Sequence, residues 1–126
     1  VESLAKLAVD AAFSVHVELG PGLLEGAYEA CLARELQLRR VNFQRQLEVP
    51  LWYKGVLVEV GFRADVVLEQ RLLLELKAVD GLLPIHDAQV ITYLKLMNLP
   101  LGLLINFNVP LIKDGVHRVL NLHLKP

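Results

Sequence analysis

Near residue 41 the apolar side chains of this chain stop recurring at helical intervals and begin to alternate, so helices come first and strands follow. Before the change, Leu4, Leu7, Ala8, Ala11, Ala12, Val15 and Leu19 share one helical stripe, which predicts a helix over residues 2–18. Leu19-Gly20-Pro21-Gly22 ends it, because glycine and proline together break a helical run. Leu24, Ala27, Tyr28, Cys31, Leu32, Glu35 and Leu38 trace a second helix over about 23–40.

After the change, Phe43, Leu47, Val49, Leu51 and Tyr53 alternate, which predicts a strand over 43–53 interrupted by Arg45. Tyr53-Lys54-Gly55 reads as a turn, and Val56, Val58, Val60 and Phe62 alternate again. Val66 to Leu68 and Leu72 to Leu76 flank a polar tip of Glu69, Gln70 and Arg71, the pattern of a hairpin. Asp80-Gly81 and Pro84 mark a loop, and Val90, Tyr93, Leu94 and Met97 predict a third helix over 86–97. Leu103-Leu104-Ile105 suits a buried strand reached by a crossover, hence one able to lie parallel to a neighbour. The alternation of residues 116–124 predicts a final edge strand. The expected architecture is α/β (α+β): one domain over residues 1–126, with a mixed central sheet flanked by helices.

Hydrophobic residues make up 54% of the chain, enough for a real core and too many for a disordered segment. That content is compatible with a homodimer in which a second copy covers apolar surface. The formal net charge is -1, so any surface for nucleic acid must be local rather than a general basic excess. Arg34, Arg39, Arg40 and Arg45, with Lys54 and Arg63, form a basic cluster that reads either as a solvated helix end or as a phosphate-binding patch. Cys31 is the single cysteine and reads as a buried structural thiol. No charged segment followed by an apolar run opens the chain, and the apolar stretch Leu99 to Ile105 is far too short for a bilayer. A soluble, cytoplasmic protein is expected, with no membrane association.

The chemistry centres on Glu75-Leu76-Lys77. Alternate side chains of a strand share a face, so Glu75 and Lys77 point one way and Leu74 and Leu76 the other. On its own this describes the wet face of an antiparallel sheet. Asp65 changes the reading: with an odd number of loop residues at the hairpin tip, it falls opposite Glu75, with the two side chains about 5 Å apart. Two carboxylates so placed repel each other unless a cation lies between them, and a hard ion such as Mg²⁺ takes oxygen ligands from one or two carboxylates. A lysine beside them can orient an attacking water or steady developing phosphate charge. Together these are the tools for hydrolysing a phosphodiester. Gln89 and Tyr93 stand four apart on the third helix and share a face; they are either a surface glutamine and a core tyrosine, or a pair that reaches the site. Glu25 opens the second helix, where an acid complements the helix dipole or serves as a metal ligand.

The run Gly22-Leu23-Leu24-Glu25-Gly26-Ala27-Tyr28 fits the pattern of the GxxExxY protein family, and GPGLLEGAYE, YKG, FRAD, ELKAV, AQVITYLKL and GLLINFNVPL resemble that family in the same order. The resemblance covers about residues 5 to 120. That family is placed in the PD-(D/E)XK superfamily, largely metal-dependent nucleases with a restriction-endonuclease-like fold. The resemblance implies Asp65 and Glu75 as ligands of Mg²⁺ or Mn²⁺, Glu25 as a further acidic member, and Lys77 as the catalytic lysine. It also implies that Gln89 and Tyr93 form a QxxxY element, with Gln89 helping to position substrate or lysine. Tyr93 and Arg63 are the expected substrate contacts, and Ala64 stands where the superfamily name has proline. The expected activity is metal-dependent cleavage of DNA or RNA; the alternative is a nucleic-acid-binding or protein-interaction module on the same fold, without catalysis.

Other constellations are weaker. His16, His86, His117 and His123 are scattered, and His86 with Asp87 reads as a helix cap. No GxxxxGK loop is present. Phe43, Trp52 and Tyr53 suit strand packing better than base stacking.

Overall fold

The computed structural model describes all residues, 1–126. Two helices lead, α1 (Glu2–Leu19) and α2 (Glu25–Leu38), followed by strands β1 (Phe43–Glu48), β2 (Leu51–Tyr53), β3 (Val56–Val58), β4 (Arg63–Leu68) and β5 (Leu72–Lys77). Helix α3 (Pro84–Met97) crosses to β6 (Leu101–Asn106), and a short 3-10 turn (Ile112–Gly115) leads into β7 (Val116–Leu120). Five strands form one sheet in the order β1-β4-β5-β6-β7, while β2 and β3 make a separate ribbon. Within the sheet only β5 and β6 run parallel, joined across α3; the other pairs are antiparallel.

Strands β5 and β6 are the centre of the sheet, and their leucine-rich sequences follow from burial on both faces. On one face Val66, Leu68, Leu72, Leu74, Leu76 and Ile105 pack against Ala8, Ala12 and Val15 of α1 and Leu32 and Leu36 of α2. On the other, Val67, Leu73 and Leu104 pack against Val90, Tyr93 and Leu94 of α3. Helix α3 approaches closely because Gly102 lacks a side chain: a Cβ there would lie 2.7 Å from Val90 Cγ1. Cys31 is half-buried against the first of these layers. No helix is long and apolar enough to cross a membrane.

Several expected boundaries shift for local reasons. The strand expected over 43–53 breaks at Val49-Pro50, where proline has no N–H for the ladder and the chain leaves the sheet for the ribbon. That ribbon turns at Lys54 and Gly55, both with positive φ, 48° and 84°, as a tight hairpin requires. Trp52 and Tyr53 lie across from Leu57 and Val56 but stay exposed, so their alternation reflects the ribbon and not the core. The final strand stops at Leu120 because the Asn121 amide turns to the carbonyls of Leu94 and Leu99, tying the chain to the end of α3. The basic cluster is partly spent on ion pairs, Arg39 with Glu35 and Arg45 with Glu29.

The second helix begins at Glu25, two residues later than its apolar spacing suggests, because the turn before it is held from inside the helix. The buried Tyr28 hydroxyl donates to the Gly20 carbonyl at 2.6 Å and accepts from the Leu23 N–H at 3.1 Å. Its ring stacks on Phe107 with centroids 4.5 Å apart. Tyr28→Phe keeps the stack and removes both hydrogen bonds, so an unfolding midpoint in urea should report a loss of about 1–3 kcal/mol. An unchanged midpoint would mean that the turn does not depend on the hydroxyl.

Candidate active site

The β4–β5 hairpin has a three-residue tip, Glu69, Gln70 and Arg71, in which Glu69 and Gln70 take positive φ of 52° and 56°. The odd tip sets the register Leu68↔Leu72, Val67↔Leu73, Val66↔Leu74. Continued by one residue, it puts Asp65 across from Glu75. The backbone ladder stops there, and the two carboxylates replace it. Asp65 N–H donates to Glu75 Oε1 at 3.1 Å, and Leu76 N–H donates to Asp65 Oδ2 at 2.8 Å. The acids are therefore not stray charges on a wet face. They fill hydrogen bonds that the parting strands leave open.

Glu75 is only 3% exposed. Burial, reinforced by the Asp65 charge, pushes its carboxyl up to about 9. Lys77 stands two residues on, on the same face of β5, and its charge opposes that rise. Glu25 reaches this neighbourhood from the first turn of α2. Partial burial raises its pKa; Lys77 acts against the rise, and Asp65 and Glu29 add to it. From the helix on the other side, the Gln89 amide donates to the Tyr93 hydroxyl at 3.3 Å. The Tyr93 phenol is raised by burial and then by the charge of Glu75. Arg63 is exposed at the outer end of β4, where its guanidinium donates to the Gln46 carbonyl at 3.2 Å. His86, as expected, caps α3, accepting the Leu83 N–H at 2.9 Å.

Three features are not evident from the sequence. Glu29, one turn after Glu25 on α2, is buried and accepts from Arg45 and Gln46. Gln46 also donates to Asp65 Oδ1 at 3.3 Å. Phe62 packs at a tilt on Tyr93, with ring centroids 6.1 Å apart, and the two rings line an open groove of about 450 Å³ together with Ile85, Gln89 and Thr92. The spacing of Glu25 and Glu29 is a helical signal for the first of these; the others depend on tertiary contacts.

The donor set suits a hard divalent cation. Both acids offer oxygen only, and their mutual repulsion is what a cation between them would relieve. Glu75 Oε1 takes the Asp65 N–H, and no backbone donor occupies Oε2. No three His, Cys, Asp or Glu side chains close into a cage. Mg²⁺ does not need one, since it commonly takes one or two carboxylates and keeps several waters.

A mixed five-stranded sheet flanked by three helices is a restriction-endonuclease-like fold, and its interlocked acids sit beside a lysine. The chain belongs to the PD-(D/E)XK nuclease superfamily, whose family model it matches over residues 2–119. No curated protein and no solved structure gives a significant match.

Proposed function

We propose that this domain is a cytoplasmic Mg²⁺- or Mn²⁺-dependent nuclease of the GxxExxY type that hydrolyses phosphodiester bonds in DNA or RNA. The observation that carries the reading is the interlock of Asp65 and Glu75 where β4 and β5 part, with Lys77 on the same face. Asp65 and Glu75 would hold the ion, and Glu25 would support it from the rim. When bound, the ion supplies Lewis acidity and neutralises charge on the phosphate. Lys77 steers the attacking water and offers a fixed positive charge to the phosphate as negative charge builds on it. The Tyr93 hydroxyl fixes one end of the Gln89 amide, so its carbonyl oxygen can position substrate or the lysine. Arg63 and Tyr93 contact substrate at the edges of the site.

Calorimetry with Mg²⁺ and with Mn²⁺, run alongside cleavage assays on single- and double-stranded DNA and RNA, tests this directly. Metal binding with cleavage is expected. Metal binding with steeply salt-dependent nucleic-acid binding and no turnover would replace the nuclease with a binding module. Lys77→Met should lower the cleavage rate about 100-fold, the scale of a lost electrostatic contact to the transition state. Metal affinity should change little, and a variant that cleaves normally would remove Lys77 from the mechanism.

A further inference from the structure

Arg45 and Gln46 are neighbours on β1, yet both bind the same carboxylate. Arg45 Nε and Nη2 reach Glu29 Oε2 at 3.1 and 3.0 Å, and Gln46 Nε2 reaches Glu29 Oε1 at 2.7 Å. Consecutive side chains of a regular strand point to opposite faces and cannot do this. The exception has a visible cause: Gln46 takes φ of 51°, the left-handed region that non-glycine residues seldom occupy. The kink falls at one position in the ladder. Arg45 pairs with Val66 and Leu47 with Ala64, so Gln46 lies across from Asp65. Backbone held in a sparsely populated region persists where surrounding contacts over-determine it, and such residues gather at functional sites.

The contacts of Gln46 show what the kink achieves. An amide nitrogen carries two protons. One goes to Glu29 Oε1 and the other to Asp65 Oδ1, at 2.7 and 3.3 Å. Both partners are carboxylates, so the amide orientation follows from chemistry. Asp65 is thereby held on both oxygens, Oδ1 by Gln46 and Oδ2 by the Leu76 N–H. Glu29 is 8% exposed and fixed in turn by Arg45, so the far end of the clamp is anchored in α2, the helix that begins with Glu25.

We propose that Gln46 is a positioning residue that orients the Asp65 carboxylate for the divalent ion, with Glu29 and Arg45 as its anchor. This rests on the reading above that Asp65 holds the ion. Groups that orient a ligand from behind typically contribute 10–100-fold to metal affinity.

The test measures Mn²⁺ affinity by calorimetry and thermal stability on the same samples of wild type, Gln46→Gly and Gln46→Asn. Glycine accepts the left-handed backbone without strain, and asparagine tolerates it with an amide one methylene shorter. Both variants should fold and melt close to wild type, yet bind Mn²⁺ about tenfold more weakly. Glu29→Gln should weaken binding too, and its effect should not add to that of Gln46→Gly, as for members of one network. Wild-type affinity in a folded variant of either kind overturns the inference while leaving the metal site intact. A loss of affinity that only tracks a loss of folded protein in both variants assigns Gln46 to the fold and overturns it as well. A wild type that binds no Mn²⁺ overturns the metal-site reading itself, and this inference with it.

Discussion

Asp65→Ala combined with Glu75→Ala should abolish divalent-ion binding and nucleic-acid cleavage while the domain stays folded. Groups behind a metal ligand are worth about 10–100-fold in affinity, so removing both proposed ligands should exceed that and leave no binding at millimolar ion. Cleavage should fall by more than about 1,000-fold, since both the positioning of the ion and its charge are lost. The fold should survive because the pair lies where the β4–β5 ladder ends, not within it. The substitution frees two backbone N–H groups, those of Asp65 and Leu76, and also removes a carboxyl group that is unfavourably buried. Circular dichroism would confirm a folded variant, and calorimetry with a cleavage assay would read the rest. Metal binding by the folded double variant at wild-type strength would show that the ion sits elsewhere.

The second large effect is a dependence on pH. Burial and the Asp65 charge raise Glu75 from an ordinary 4.5 to about 9. Between those values the folded chain keeps a proton that the unfolded chain has released. Without metal, the contribution of Glu75 to stability is therefore fully present below the lower value. It declines as pH rises, and is lost as pH passes through the higher one. With Glu75 as a ligand, as proposed, metal binding needs the ionised carboxylate, so an ion must displace that proton. One proton displaced per ion makes apparent Mg²⁺ affinity rise about tenfold per pH unit below the raised value, or roughly 1,000-fold over three units. Titrations at several pH values, in buffers of differing ionisation heat, would count the proton directly. Affinity that stays flat from mildly acidic to mildly alkaline pH would mean that Glu75 is already ionised, or is not a ligand.

The part of this site most legible in the sequence is the part built from one hairpin. Asp65 and Glu75 oppose each other because three polar residues make the tip, and strand alternation then carries Lys77 to the same face. Helical spacing likewise brings Gln89 to Tyr93. The parallel placement of β6 and the edge position of β7 are also readable, from the crossover helix and from the polar alternation near the end of the chain. The wall formed by Glu29, Arg45 and Gln46 is not. It depends on a backbone kink that no residue type announces, and on α2 lying beside β1, a distance in space and not in sequence. The early end of the first strand at Pro50 is readable in principle, but five alternating apolar residues outweigh a single proline when only the period is counted. The turn into α2 hides for a related reason: Tyr28 looks like a core residue by spacing, and its hydroxyl works on residues before the helix begins.

The bare α-carbon of Gly102 also bears on the face of the sheet that α3 covers. It lets Val90 settle almost onto β6, and Val90 shares its helix with Gln89 and Tyr93. The seating of the helix that carries those two side chains thus depends on a residue with no side chain of its own. Any bulk added there would push α3 off β6 without altering a polar group of the site. The spacing between helix and sheet is in this sense tuned from underneath.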